Sequence, residues 1–281
     1  MRRAAIIAVL GLAGVLTVVI TLHGTDTRID TDTVASADTG TDPRARARTD
    51  TADDVDLRAG SETDDVWLQF DGSSGGEAPV DVASTAAAVG DVVSDGGSIR
   101  QVAGPPGYGS AVEFPASGEP AAVIIVRNSG STDRLEPGDR DFAFGADVRV
   151  SAGNDDGDNV LQRGLWGDDG QYKLQVDYGV VSCTVQGASG RVLVRIDEIV
   201  EPLVWYRLVC QRSGDDLSLE VERLDTGATW REAATGPIGS VRMSSADSPL
   251  SIGGKVGWNG EIVKGPDQFN GAIDNVYVRI D

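Results

Sequence analysis

Phe142-Ala143-Phe144-Gly145-Ala146-Asp147-Val148-Arg149-Val150 alternates apolar residues with small or charged ones, the period of two of a half-buried β-strand. The same alternation returns in Tyr172-Lys173-Leu174-Gln175-Val176 and in Leu217-Ser218-Leu219-Glu220-Val221. Such strands bury one face and wet the other. By contrast, Ala121-Ala122-Val123-Ile124-Ile125-Val126 is apolar on both faces and is expected in the middle of a sandwich. Strand-like segments begin at Val66-Trp67-Leu68-Gln69-Phe70 and recur to the C-terminus, with no convincing helical period between them. Turn chemistry sits at Asp168-Asp169-Gly170 and Ser213-Gly214-Asp215-Asp216. Many short antiparallel strands without crossover helices predict an all-β domain over residues 66–281, a two-sheet antiparallel jelly-roll sandwich.

Outside that domain the composition changes. Residues 4–22 are apolar apart from Gly11, Gly14, Thr17 and Thr21, and they follow Arg2 and Arg3. Residues 1–23 therefore read as a signal anchor, one transmembrane helix whose arginines stay in the cytoplasm and send the rest outward. Ala35-Ser36-Ala37 has the pattern of a cleavage site, so secretion is the alternative, although this site lies far past the apolar run. Residues 24–65 repeat Thr and Asp with almost no large apolar side chains. A segment that cannot bury enough surface to offset its ordering entropy predicts a disordered, charge-extended linker. The expected arrangement is a single-pass protein of the cell membrane with its domain extracellular.

The chain of 281 residues carries 44 Asp and Glu against 24 Lys and Arg, a net charge of −20. Its surface repels phosphates and anionic lipid heads, so no nucleic acid is expected as a partner, while cations and neutral ligands remain open. Cys183 and Cys210 fall in two strand-like stretches. An oxidising compartment makes a disulfide the expectation and two buried free thiols the alternative. The single histidine, His23, lies at the membrane boundary, which leaves the domain no histidine triad and no histidine zinc site.

Six motifs in order resemble a laminin G domain of the concanavalin A-like lectin/glucanase superfamily. They are the strand from Phe142, Asn159-Val160-Leu161-Gln162-Arg163-Gly164, Gln171-Tyr172-Lys173-Leu174-Gln175-Val176, and Trp205-Tyr206-Arg207-Leu208-Val209-Cys210-Gln211-Arg212-Ser213-Gly214. Pro249-Leu250-Ser251-Ile252-Gly253-Gly254 and Phe269-Asn270-Gly271-Ala272-Ile273-Asp274-Asn275-Val276-Tyr277-Val278 complete the series. The departure is the disulfide, which in the family is often near the end of the domain. Trp205 reads as core, Gly253-Gly254 as a strand end with positive φ, and Gly271 as a point of close approach.

The resemblance implies a binding or adhesion module for glycan or protein ligands, with a carbohydrate-active enzyme or a purely structural envelope protein as the alternatives. The family's glucanases place Glu-x-Asp-x-x-Glu on one strand. Arg195-Ile196-Asp197-Glu198-Ile199-Val200-Glu201 misses that pattern, with an arginine at the first carboxylate position, and its acids read as a solvated turn before Pro202. No catalytic residue is therefore expected.

The family often binds calcium, and Asp274 matches a position that in some relatives ligates a structural ion with the acidic end of the first strand, here Asp71. Apart from the family, Asn154-Asp155-Asp156-Gly157-Asp158-Asn159 is dense in oxygen ligands, which makes Asp156 and Asp158 a second calcium candidate. Trp166, before the Asp168-Asp169-Gly170 turn, and Trp258, in Gly257-Trp258-Asn259-Gly260, are candidates for stacking on a sugar face.

Overall fold

The computed structural model describes residues 66–71, 88–128, 131–153 and 157–281. The anchor expected over residues 1–23, the linker over 24–65, and Asp156 with its two preceding residues lie outside the described residues. Among the described residues no helix is long and apolar enough to cross a membrane.

The strands in chain order begin with β1 (Val66–Leu68), β2 (Ala88–Ser94), β3 (Arg100–Ala103), β4 (Ser110–Glu113) and β5 (Ala122–Asn128). They continue with β6 (Phe142–Val150), β7 (Asp158–Arg163), β8 (Gln171–Asp177), β9 (Val180–Gly187) and β10 (Gly190–Ile199). The last five are β11 (Trp205–Ser213), β12 (Asp216–Arg223), β13 (Ala228–Thr235), β14 (Leu250–Ile252) and β15 (Gly271–Ile280). They form two sheets. One runs β13-β12-β11-β6-β15-β4-β3, with β1 also paired to β15, and the other runs β10-β9-β8-β7-β14-β5-β2. Every ladder between named strands is antiparallel.

The alternation along β6 is realised residue by residue. Phe142, Phe144, Ala146, Val148 and Val150 enter the main core, while the residues between them face outward. Across the core, the Tyr172 ring of β8 lies 5.5 Å from Phe142 and 5.2 Å from Phe144. Cys183 on β9 and Cys210 on β11 are disulfide-bonded with their Cα atoms 6.1 Å apart, joining the two sheets through the core.

Three expectations are adjusted by the packing. β5 is buried on both faces, but it lies one strand in from a sheet edge, not in the middle. Its outward Val123 and Ile125 are covered by Val256, Ile262 and Val93. Trp205 is buried, yet it pairs across from Arg149 on the outer face, in a satellite cluster with Ala111 and Ala272. The Arg149 guanidinium carbon lies 5.3 Å from its ring centroid. Asp197 and Glu198 belong to the exposed end of β10, at its bulge, and not to a turn.

Gly253 ends β14 with φ +80°, and a Cβ there would sit 2.0 Å from the Phe114 ring. Gly271 makes the close approach expected of it, since its Cβ would stand 2.2 Å from the Arg149 carbonyl oxygen. Gly253→Ala combines a left-handed backbone with overpacking of a buried ring, and is expected to cost about 3 kcal/mol. Urea titration checks this, and a change in stability below 1 kcal/mol would show that Phe114 moves aside freely.

Candidate functional site

Two exposed tryptophans and one buried carboxylate cluster result from this packing. The turn from β7 to β8 is held by Asp168, which accepts from the Leu165 N–H at 2.7 Å and donates its own N–H to the Leu165 carbonyl at 3.0 Å. Gln186 Nε2 braces the turn through the Asp168 carbonyl at 2.5 Å. The turn and the β9–β10 hairpin frame an open cleft of about 690 Å³, lined by Trp166, Asp168, Asp169, Gln186 and Arg191 with the main chain of the hairpin. Trp166 is 71% exposed there.

Arg191 lies over the Trp166 ring, its guanidinium carbon 3.1 Å from the centroid, and donates through Nη2 to the Trp166 carbonyl at 2.7 Å and to Gln186. Burial lowers its pKa from the ordinary arginine value. Among the described residues no carboxylate pairs with it, and its buried Nε has no hydrogen-bond partner. The sequence signalled Trp166 by its place before a turn; Arg191, on the neighbouring hairpin, became visible only through strand pairing. Trp258 is 64% exposed and lies outside that cleft. Its loop is closed by Gly257 N–H to the Glu261 carbonyl at 2.8 Å and anchored by Arg127 Nη2 to the Asn259 carbonyl at 2.7 Å.

Asp274 and Asp71 are brought together on the outer face of the β6–β15 sheet. A bulge between Asp274 and Tyr277 inserts one extra residue in β15, and Asn275 takes φ +47° there. Bulges re-aim side chains, and Asn275 Nδ2 donates to Asp147 Oδ2 at 2.8 Å. Asp147 is held by Arg207 through Nε at 2.8 Å and Nη2 at 3.0 Å, under the Tyr108 ring. Burial works against the Arg207 charge, but the Asp147 hydrogen bond and charge outweigh it and leave its pKa above the ordinary value.

Asp274 accepts the Asn275 N–H at 2.8 Å, and among the described residues it faces no cation. Its pKa is raised to about 7, first by burial and then by the Asp147 and Asp71 carboxylates, against the pull of the Asn275 and Phe70 N–H groups. Asp71 accepts the Ser110 N–H at 2.8 Å. A Cβ on Gly104 would meet the Tyr108 carbonyl oxygen at 2.2 Å, that of Gly109 at 3.2 Å and Asp274 Oδ2 at 3.3 Å, so these three oxygens lie close beside Gly104.

The second candidate set is different. Asp158 is not a loop residue: it opens β7, buried, opposite Val176. Among the described residues no group of three or more acidic, histidine or cysteine side chains is gathered to hold a metal.

No protein-family model matches the sequence, and no curated protein matches it. Among solved structures, the chain is similar to the binding domain of botulinum neurotoxin serotype D/C, with TM-score 0.52 and 11% identity over 78% of this chain and 49% of that one. It is also similar to the binding domain of Paraclostridial Mosquitocidal Protein 1, with TM-score 0.50 and 13% identity over 78% of this chain and 50% of that one. The LG1-3 region of the laminin alpha2 chain matches with TM-score 0.47 and 12% identity, over 60% of this chain and 30% of that one. The chain thus spans half or less of the length of each. At these identities the likeness is one of fold alone, two packed antiparallel sheets in a jelly-roll sandwich.

Proposed function

We propose that this is an extracytoplasmic, membrane-tethered binding module that takes a glycan in the Trp166 cleft. The observation that carries the reading is the cleft itself. An exposed indole face suits the C–H face of a sugar. Around it stand Asp168 and Asp169 as acceptors for hydroxyls and, as a donor, Arg191, whose charge no described carboxylate pairs with. Two toxin neighbours are binding domains by name, which supports binding as the broad class; the tether and the glycan are our reading of residues 1–65 and of the cleft.

Binding is favoured over hydrolysis by the state of the nearest candidate acids. Asp197 pairs with Arg195 at 2.9 Å on the exposed edge strand β10. Trp166→Ala is expected to weaken glycan binding at least tenfold on an array, while unfolding moves by less than about 0.5 kcal/mol because the side chain is mostly exposed. Retained binding in Trp166→Ala and its loss in Trp258→Ala would transfer the site to the Trp258 loop; retained binding in both would end the glycan reading.

We further propose a structural calcium at Asp71 and Asp274. Calcium takes oxygen ligands alone, main-chain carbonyls among them, and the oxygens around Gly104 include two carbonyls and Asp274. A cation there would neutralise the carboxylate that the protein leaves buried without one.

A further inference from the structure

The geometry points to a second interaction surface, at the other end of β8 from the Trp166 turn: Tyr178, Ile199 and Leu203 form a docking tip for a separate protein that presents an apolar socket edged by lysine or arginine. The three side chains are 65%, 62% and 67% exposed. Tyr178 and Gly179 make the tight turn from β8 to β9, Ile199 packs on Gly179, and the Val200 N–H bonds to the Gly179 carbonyl at 2.9 Å. Leu203 follows in the same loop, its N–H fixed to the carbonyl of Val150, the last residue of β6, at 2.9 Å.

Two of these positions break a local rule. Tyr178 has φ +51° and Leu203 φ +65°. A left-handed backbone is strained for a bulky side chain, and asparagine, aspartate or glycine is the ordinary occupant of such turns. Strained positions persist where the surrounding structure over-determines them, and they cluster at functional sites. Here the strain supports no packing, because both side chains project into solvent. Large apolar residues gathered at an exposed tip mark an interaction site.

The charge around the tip selects the occupant. Asp177, Asp197, Glu198 and Glu201 flank it, against Arg195 and Arg223, which pair with Asp197 and Glu201. A second copy of a chain of net charge −20 would set these carboxylates against their own kind in an isologous contact. An anionic bilayer is repelled in the same way. A basic-rimmed protein socket satisfies both the apolar tip and its acidic surround. This surface is independent of the glycan reading, and either can fail alone.

The test uses the full chain in the cells that make it, with a benzophenone-bearing phenylalanine incorporated at Tyr178. Irradiation is expected to give one covalent adduct with a protein identifiable by mass spectrometry. That protein, purified, should bind the full chain at least tenfold more weakly after Leu203→Asn and when salt is raised from 0.05 to 0.5 M. An adduct with a second copy, an adduct with lipid, no adduct, or a protein whose binding ignores Leu203→Asn each overturns the proposal. Tyr178→Asn and Leu203→Asn should each raise the unfolding midpoint by about 1–3 °C as the strain is relieved. A fall in both would show that the two side chains stabilise the fold, and would overturn it as well.

Discussion

Replacing Cys183 and Cys210 together by alanine is expected to lower the unfolding free energy by at least about 3–4 kcal/mol and the midpoint by at least about 10 °C. The bridge closes a loop with a sequence separation of 27. In the chain-entropy account a loop of that size restricts the unfolded ensemble by about 3.5 kcal/mol. Its position adds a second cost. The bridge joins β9 in one sheet to β11 in the other, and both residues are fully buried, so removing two sulfurs also leaves a void between the sheets. Thermal unfolding of the double variant beside the parent measures the sum. A fall of less than about 3 °C would mean that residual structure restricts the unfolded chain nearly as much as the bridge does.

Asp274→Asn is expected to abolish a pH dependence of stability that is unusual in sign. A carboxyl whose folded pKa is about 7, against 3.8 when unperturbed, holds its proton more firmly in the folded chain. Between about pH 4 and pH 7 the folded state therefore binds more protons than the unfolded one, and stability falls as pH rises. The contribution is complete below about pH 4 and lost above about pH 7, with a ceiling of about 4 kcal/mol for a shift of this size. Asparagine keeps the acceptor for the Asn275 N–H and carries no charge, so the variant should be more stable than the parent at pH 8 in chelator and nearly equal to it at pH 4. Under the calcium proposal, millimolar calcium stabilises the parent above pH 7 by binding only the folded state, and leaves Asp274→Asn unmoved. Urea titrations of both proteins at pH 4.5 and pH 8, with chelator and with calcium, separate the two effects. Equal slopes with pH in parent and variant would remove the buried-charge argument, and a calcium response in both proteins would place the ion elsewhere.

The candidate site was legible in the sequence to different depths. A family resemblance pairs Asp274 with Asp71, and the Asp71 carboxylate lies within electrostatic reach of Asp274. Asp147 and Arg207 went unseen, although alternation along Phe142–Val150 and Trp205–Ser213 places both on the outer face of their strands. What was missing was register: only the pairing of Arg207 with Asp147 turns two ordinary strand charges into a bidentate pair. Arg191 was hidden for the same reason, since its stacking on Trp166 joins two turns that are far apart in sequence. Asp158 misled in the opposite direction, because a run of Asp, Asn and Gly reads as a loop whether or not its last residues enter a strand.

By itself the sequence determined the fold class, the cysteine pair, the turns at 168–170 and 213–216, and the small residues at Gly253 and Gly271. These rest on local periodicity, backbone sterics and redox chemistry, which act over a few residues or on composition. The tertiary structure alone decided which charges are buried together, that Trp205 packs outside the main core, and that Tyr178, Ile199 and Leu203 stand at one end of the sandwich. The physical reason is that a strand's alternation fixes which face a side chain takes, whereas its partners depend on strand order and register, which long-range pairing sets.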